Sequence, residues 1–284
     1  MKIKKFFKIP LFIASLIFLF ASASYSEIND GDHGFHLRGG LGAGNVYWGY
    51  LNQGGDRGDL GEGTGDGALY LSAMYNYKLL GIEASIMSGK ISDLEWKDKD
   101  TLGDEYTYKS TGSGNYTTVD LKLGAKLFAE SGDMGYTYIY GGMHFWTTER
   151  TQETREWSIF KETTNKKYKG DGSGWIVGFR DFSTIGWDKG LAIVIQTGLY
   201  GGKAPADKFS EDGTEVTYGV KQAYTLGGEL AAGIALQNIG LSIVGGVRGH
   251  ADISVFDDSA ASGEDESVFG FGNGMFFVEA GIMF

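Results

Sequence analysis

The chain has 284 residues with a formal net charge of −11 at pH 7; 47 are glycine, 2 are proline, 14% are aromatic and none is cysteine. The missing cysteines exclude disulfides and thiolate metal sites, and the acidity disfavours nucleic acid as a partner. Abundant glycine and aromatic residues, with few helix-forming runs, favour many strands and turns.

The first 26 residues have the pattern of a secretory signal peptide. Four lysines in the first eight residues precede a short apolar run, and Ala21-Ser22-Ala23 follows. Such a run is too short to span a membrane comfortably as a helix. We interpret residues 1–26 as a cleaved signal peptide and residues 27–284 as the mature domain; an uncleaved membrane anchor is the alternative.

Ten segments of the mature chain alternate between two kinds of side chain with a period of two, which is typical of strands. Each is about as long as, or longer than, the 9 to 11 residues that a tilted strand needs to cross a bilayer. The segments are residues 34–48, 68–78, 81–89, 116–129, 136–148, 174–184, 191–201, 220–236, 240–256 and 267–284.

The connections between these segments alternate in length. Those near residues 79–80, 130–135, 185–190 and 237–239 are short, whereas residues 49–67, 90–115, 149–173, 202–219 and 257–266 form long, polar connections. Short turns at one end and long loops at the other are typical of outer-membrane barrels, with the long loops outside the cell.

The two faces of the strands predict which side chains meet lipid. In residues 116–129, Leu121 and Leu123 share one face, and Lys122 lies on the other. A lysine facing lipid at the midplane costs about 2 to 4 kcal/mol, so the charges should point inward. The same argument assigns to the interior Arg38, Glu83, Asp120, Lys122, Lys126, Arg180, Glu229, Arg248 and Glu279.

The interior charges bear on function. Five bases facing four acids predict a neutralised, hydrogen-bonded plug rather than a selective channel, although a narrow porin is an alternative. Tyrosine and tryptophan near segment ends suit the aromatic girdles at the two membrane interfaces. The residues assigned to these girdles are Tyr47, Trp48, Tyr75, Tyr77, Tyr136, Tyr138, Trp146, Trp175 and Trp187.

The last nine residues, FFVEAGIMF, place an apolar stripe on one face of the final segment and end in phenylalanine. With the signal peptide and the ten segments, this ending resembles the outer-membrane β-barrel proteins of Gram-negative bacteria. The resemblance implies an all-β, transmembrane, antiparallel up-and-down barrel of about ten strands in the outer membrane. A soluble β-sandwich is the alternative that the strand lengths and inward charges disfavour.

The resemblance also implies partners. Outer-membrane lipid and lipopolysaccharide would surround the barrel, and the barrel-assembly machinery would recognise the last strand. The residues of that assembly signal would be Phe276, Val278, Ala280, Ile282 and Phe284.

Residues 91–100, ISDLEWKDKD, resemble the acidic stretch of the omptin proteases, which are ten-stranded surface barrels. Asp93 and Glu95 match the omptin acid pair, with Asp98 following, although glutamate replaces the second aspartate. The omptin histidine lies in the loop after the seventh strand, and residues 201–219 contain none. An activated-water mechanism would then lack its base, unless His250 with Asp252 supplies one by another geometry.

Two loops offer weaker motifs. The tripeptide at residues 57–59, Arg-Gly-Asp, resembles integrin-binding motifs within a glycine-rich stretch. Residues 257–266 are acidic and could collect Ca²⁺, but lack the regular ligand spacing of a dedicated loop. His33, His36 and His144 are too scattered along the sequence to suggest a metal site, and no cofactor is expected.

The sequence therefore predicts a non-enzymatic outer-membrane barrel with a structural or adhesin-like role and a possible extracellular ligand bound by its loops. An omptin-like protease is the alternative from a different functional class.

Overall fold

The computed structural model describes residues 33–51, 57–99, 105–127, 136–157, 160–187, 190–215, 218–257 and 266–283, which are almost entirely antiparallel strand. The predicted signal peptide and Phe284 lie outside these residues. The strands are β1 (His33–Leu51), β2 (Arg57–Tyr77), β3 (Leu80–Ile91), β4 (Leu94–Lys99), β5 (Glu105–Leu127), β6 (Tyr136–Trp157), β7 (Phe160–Trp187), β8 (Leu191–Lys203), β9 (Ala206–Glu211), β10 (Thr214–Glu215), β11 (Tyr218–Leu236), β12 (Leu241–Asp257) and β13 (Glu266–Met283), with a 3-10 turn at Gln237–Ile239.

Ten of these strands pair in a closed ring. The order is β1, β2, β3, β5, β6, β7, β8, β11, β12, β13, and β13 pairs antiparallel with β1 from Met283 opposite His36 to Val268 opposite Leu51. β4 continues the position of β3 between β2 and β5, and β9 continues that of β8 beside β7. The expected ten-stranded, up-and-down antiparallel barrel is confirmed.

The outer face of the barrel is apolar where it would meet lipid. On β13, Phe276 and Val278 of the terminal stripe are 76% and 62% exposed, while Glu279, on the opposite face of the strand, is buried in the lumen. Leu41, Leu123 and neighbouring residues continue this exposed surface around the wall. Because exposed apolar side chains cover so much of the wall, burial against lipid is what stabilises this face.

Only some of the residues predicted for the aromatic girdles lie on the outer face of the barrel. Tyr47, Tyr75, Tyr77 and Trp175 are exposed on the outer face, but the rings of Trp48, Tyr136, Tyr138 and Trp146 are buried in the lumen, so their assignment to the girdle is wrong. The reason is strand alternation: Trp48 lies ten positions after the inward Arg38, an even number, so both share the inner face. The side chain of Trp187 lies outside the described residues.

The outer connections differ from the polar loops that the sequence predicts. Strands β2, β5, β6 and β7 all continue through much of that length, and the hairpin of β6 and β7 pairs as far as Trp157 opposite Phe160. Outside the bilayer both strand faces meet water or other polar groups, so the apolar alternation that marks a membrane strand disappears while backbone pairing continues. β6 alone has 22 residues, a length of about 70 Å along the strand.

Tight turns close the opposite end of the barrel. β2 and β3 are joined through Lys78, whose φ of 53° is left-handed, and β11 and β12 through the 3-10 turn and Gly240. At Gly240, with φ of 65°, a Cβ would lie 2.0 Å from the carbonyl oxygen of Met283, so glycine is required there. Within the described residues, no helix is long and apolar enough to cross a bilayer.

Candidate functional site

The lumen of the barrel is filled by three layers of side chains, which we name from the turn end outward. The inner aromatic layer consists of His36, Tyr136, Tyr138, Tyr140 and Phe182. The ionic layer consists of Arg38, Glu83, Asp120, Lys122, Arg180, Glu229, Arg248 and Glu279. The outer aromatic layer consists of Trp48, Tyr50, Trp146, Tyr168, Phe209, Phe256 and Phe269.

Six members of the ionic layer form a closed ring of alternating charge. Each carboxylate bridges two arginines, and the nitrogen-to-oxygen distances lie between 2.6 and 3.4 Å. In order around the ring they are Arg38, Glu83, Arg180, Glu229, Arg248 and Glu279. Their side chains are at most 9% exposed, so each charge depends on its partners for the solvation that water would otherwise supply.

Lys122 links this ring to a second set of groups. Its ammonium lies 3.6 Å from Glu83 in the ring and 3.1 Å from Asp120, its neighbour on β5. The structure thus joins eight of the nine predicted interior charges in one network. Lys126 lies apart, with its ammonium 5.6 Å from the ring centroid of Tyr136 near the turn end.

Aromatic rings hold the guanidinium groups of the ionic layer in place. The guanidinium carbon of Arg248 lies 3.9 Å from the ring centroid of Tyr70 and 4.4 Å from that of Phe277. Arg38 donates to the Tyr70 hydroxyl at 3.2 Å and to the Ser72 hydroxyl at 3.1 Å. Stacking and directional hydrogen bonds both favour arginine over lysine at these positions.

A chain of five polar side chains crosses the lumen beside this ring. Asp120 Oδ1 lies 2.6 Å from His144 Nδ1, and His144 Nε2 lies 3.2 Å from Asp252 Oδ2. That same oxygen is 2.6 Å from His250 Nε2, while His250 Nδ1 is 2.6 Å from the hydroxyl of Tyr200. We call these five residues the histidine chain; it connects β5 and β6 with β8 and β12.

A glycine makes the last contact of the histidine chain possible. Gly227 on β11 lies opposite Tyr200 of β8 on one side and His250 of β12 on the other. A Cβ at Gly227 would lie 2.1 Å from the ring of Tyr200. The missing side chain therefore lets the tyrosine ring pass over β11 and reach the histidine.

The sequence analysis missed most of the histidine chain. Arg248, His250 and Asp252 are spaced two apart, which places them on one inner face, but nothing local points from them to His144, 106 positions before His250. The contact depends on strand register and on which walls of the barrel face each other. Of the contacts between different strands in the histidine chain, only that of His144 with Asp120 joins neighbouring strands, because these two residues lie opposite each other on β6 and β5.

A small polar cavity lies next to these groups. Its volume is about 40 Å³, and Asp120, Lys122, Tyr200, Arg248 and His250 are among its lining residues. A site with this many polar groups has room for on the order of one to three water molecules.

The outer aromatic layer covers the cavity and the ionic layer on the loop side. Trp48 packs against Tyr168 and Phe269 at centroid distances of 5.2 and 5.7 Å, and Phe209 lies 4.7 Å from Phe269. The indole nitrogen of Trp146 donates to the carbonyl oxygen of Ala204 at 2.9 Å. Each buried ring therefore has ring or hydrogen-bond partners, which makes this layer a packed closure.

The residues considered for proteolysis lie elsewhere. Asp93, between β3 and β4, accepts the backbone N–H of Gly112 at 2.8 Å and is exposed. Glu95 is exposed and pairs with Lys109 at 3.2 Å, whereas Leu94 beside it is buried. His250 is buried in the lumen, so the structure does not bring it together with Glu95. The side chains of Asp98 and of residues 57–59, and residues 258–265 of the acidic loop, lie outside the described residues.

Comparison with solved structures identifies the architecture. The chain is similar to the outer membrane protease OmpT from Escherichia coli, with a TM-score of 0.54 and 10% sequence identity over 92% of this chain and 100% of that chain. It has the fold of an outer-membrane β-barrel. OprG from Pseudomonas aeruginosa also matches, with a TM-score of 0.35 and 11% identity over 88% of this chain and 95% of that chain.

No protein-family model matches the sequence, and no curated protein matches it by sequence either. The fold and the apolar outer face agree with the outer-membrane location expected from the sequence. At 10% identity the likeness to OmpT concerns the fold alone.

Proposed function

We propose that this chain is a closed, non-enzymatic outer-membrane barrel that holds extended β-hairpins at the cell surface for contact with an extracellular ligand. The observation that carries the proposal is the filled lumen, in which two packed aromatic layers enclose a neutralised ionic layer. Outer-membrane lipid, lipopolysaccharide and the barrel-assembly machinery are its proposed surroundings and partners.

The ionic layer supports a structural role rather than conduction. Its four bases and four acids balance, and six of them pair with one another in a closed ring. An ion passing through would have to separate buried salt bridges, and breaking such a pair costs about 3 to 5 kcal/mol. A ten-stranded barrel is also only slightly wider than the eight-stranded kind that side chains fill.

The hairpins above the membrane support the surface role. β6 and β7 stay paired well beyond the apolar wall, and their outer face carries charged residues such as Glu149 and Lys167, which lie 2.8 Å apart. Trp96 and Phe160 are 43% and 58% exposed on the extensions. Exposed aromatic side chains on a paired, stiff scaffold are the kind that provide most of the binding energy in protein interfaces.

The omptin-like alternative has less support. Proteolysis at Asp93 and Glu95 needs a base within hydrogen-bond reach of a shared water, and the two acids instead contact Gly112 and Lys109. His250 belongs to the histidine chain inside the barrel.

Single-channel recording in planar lipid bilayers tests the closed lumen. We expect no regular conductance steps from the refolded protein. A variant that opens all three layers should conduct; it combines Trp48→Ala and Phe269→Ala in the outer aromatic layer, Arg38→Ala and Glu279→Ala in the ionic layer, and Tyr136→Ala and Phe182→Ala in the inner aromatic layer. Regular steps from the unaltered protein would make it a narrow porin and overturn the proposal.

Adhesion of whole cells tests the surface role. Residues 152–166 at the end of the β6–β7 hairpin would be replaced by a two-residue turn, which keeps Thr151 opposite Lys167 and leaves the membrane wall and the lumen layers intact. We expect this variant to show normal heat-modifiable migration but reduced adhesion to cells or matrix-coated surfaces. Unchanged adhesion after shortening each extension in turn would leave the barrel with a structural role alone.

A further inference from the structure

We propose that His144, His250 and Asp252 form a metal site inside the barrel that binds one divalent transition-metal ion, with Zn²⁺ as the preferred ion. The three residues come from β6 and β12 on opposite walls of the lumen. They are buried, and one ligand atom from each lies within 4.8 Å of the others.

The two imidazole nitrogens already converge on the carboxylate of Asp252. The Nε2 atoms of His144 and His250 lie 3.2 and 2.6 Å from the same oxygen, Oδ2 of Asp252. Tetrahedral Zn²⁺ with bonds of about 2.0 to 2.1 Å places its ligand atoms about 3.3 Å apart. A shift of under about 1 Å by the Asp252 carboxylate away from His250 would open that space.

Each ligand also has a partner on the atom that the metal would not use. His144 Nδ1 faces the carboxylate of Asp120 at 2.6 Å, and His250 Nδ1 faces the hydroxyl of Tyr200 at 2.6 Å. Thr225 donates to the second oxygen of Asp252 at 2.7 Å. Metal-binding histidines characteristically donate their other N–H to a carboxylate or similar acceptor, which fixes the ring and its tautomer.

The buried carboxylate of Asp252 calls for a counter-charge at this position. The four bases and four acids of the ionic layer pair among themselves, and Asp252 is a further acid, 1% exposed. In the described part of the chain, the ion pairs of Asp252 are with His144 and His250. A buried carboxylate requires a counter-charge, and either protonated imidazole or a bound metal ion can supply it.

The ligand set selects the kind of metal. Two imidazole nitrogens and one carboxylate oxygen suit Zn²⁺ and related ions, whereas Ca²⁺ and Mg²⁺ prefer oxygen ligands throughout. Three protein ligands leave one position of a tetrahedral ion for water. The polar cavity of about 40 Å³ that His250 helps to line is large enough for that water.

The outer aromatic layer closes the site on the loop side, which affects the stage at which the ion would bind. Trp146 and Phe269 pack above the site with a centroid distance of 5.4 Å. We therefore expect the metal to enter as the barrel folds and to leave slowly afterwards, because a preformed site rarely exists in the unfolded chain.

The test is to refold the full barrel protein in detergent with Zn²⁺ present, remove free metal and measure bound zinc by mass spectrometry. We expect about one zinc ion per chain, as implied by the cluster of His144, His250 and Asp252. Co²⁺ in place of Zn²⁺ should give the visible absorption of a tetrahedral site with nitrogen and oxygen ligands.

Substitutions of the three ligands and of another buried histidine test whether zinc binds at this site. His144→Ala, His250→Ala and Asp252→Asn should each lose the bound zinc. His36→Ala is the matched control: His36 is also a buried lumen histidine, but its Nδ1 contacts the Tyr136 hydroxyl at 3.2 Å, so this variant should keep the metal. Heat-modifiable migration on gels shows which variants fold.

Two variants keep the test decisive if a ligand variant fails to fold. Tyr200→Phe removes the hydroxyl that faces His250, and Asp120→Asn alters the carboxylate that faces His144 while Lys122 keeps Glu83 as a partner. Each should weaken zinc affinity by about 10-fold to 100-fold, measured by competition with a chelator. Refolded protein without zinc would overturn the proposal and leave a protonated histidine pair as the counter-charge. Zinc binding that persists unchanged in His144→Ala and His250→Ala would also overturn it.

Discussion

Arg38 on β1 and Glu279 on β13 form a salt bridge of 3.4 Å inside the barrel, next to the seam where the first and last strands pair. Both side chains are 2% exposed. Since 241 positions of sequence separate them, the contact exists only when the ring of strands is closed. It therefore links the charge pattern of the lumen to the closure of the barrel.

Replacing either partner of this salt bridge should destabilise the barrel strongly. Arg38→Met or Glu279→Gln alone should lower the free energy of unfolding by about 3 to 5 kcal/mol, because the buried ring is left with one charge that is no longer neutralised. The double variant should lose less than the sum of the two single variants. Urea unfolding in lipid vesicles, followed by tryptophan fluorescence, measures both quantities.

An exposed pair provides the control for that cycle. Lys167 and Glu149 lie 2.8 Å apart on the outer hairpin, but their side chains are 58% and 43% exposed. Removing either should cost no more than about 1 kcal/mol because water solvates the remaining charge. Strictly additive losses for Arg38 and Glu279 would contradict the coupling across the seam.

A charge placed on the lipid face should reveal the membrane boundary. Leu123 on β5 is 60% exposed on the apolar wall, and Leu123→Arg should cost about 2 to 4 kcal/mol, as expected near the bilayer midplane. Thr147→Arg, on the same outer face but near the outer end of the membrane wall, should cost only about 0 to 1 kcal/mol. Equal costs for the two variants, measured by unfolding in vesicles, would argue against this position of the membrane.

The sequence predicts the membrane part of this fold well because lipid imposes a strict rule on each strand. Leu123 and Phe276 must face outward while Lys122 and Glu279 face inward, and a period of two is enough to recognise that. Beyond the bilayer the rule no longer applies. The strand extensions at residues 149–173 therefore have the polar composition of loops, although their backbones remain paired.

The arrangement inside the lumen depends on information that a single strand does not contain. Trp48 and Trp146 are of a residue type that is typical of girdles, but their positions in the strand alternation point them inward, into the outer aromatic layer. The meeting of His144 with Asp252 needs the register of every strand between β6 and β12 in the ring, together with the space above Gly227. Such contacts across a barrel leave no regular spacing in the sequence.

Filling the space above Gly227 should disturb the histidine chain. In Gly227→Ala the new Cβ would meet the Tyr200 ring at 2.1 Å, which forces the tyrosine away from His250. We expect the free energy of unfolding to fall by about 1 to 3 kcal/mol, as for other overpacked interiors. Gly274→Ala is the matched control, because nothing lies within 4 Å of a Cβ at that glycine. Equal unfolding curves for the two variants would contradict the proposed role of Gly227.

Peptide cleavage separates the proposed surface barrel from an omptin-like protease. The carboxylate of Asp93 accepts the N–H of Gly112 and that of Glu95 pairs with Lys109, while His250 is enclosed in the lumen beneath the outer aromatic layer. Among the side chains that the structure describes, no imidazole lies within reach of the two acids, so we expect them to lack the base that an activated-water mechanism needs. We expect the refolded protein, with lipopolysaccharide present, to cleave peptides with basic residues at the scissile bond no faster than its Asp93→Ala, Glu95→Ala variant. Cleavage that disappears in that variant and in His250→Ala would establish an enzyme instead.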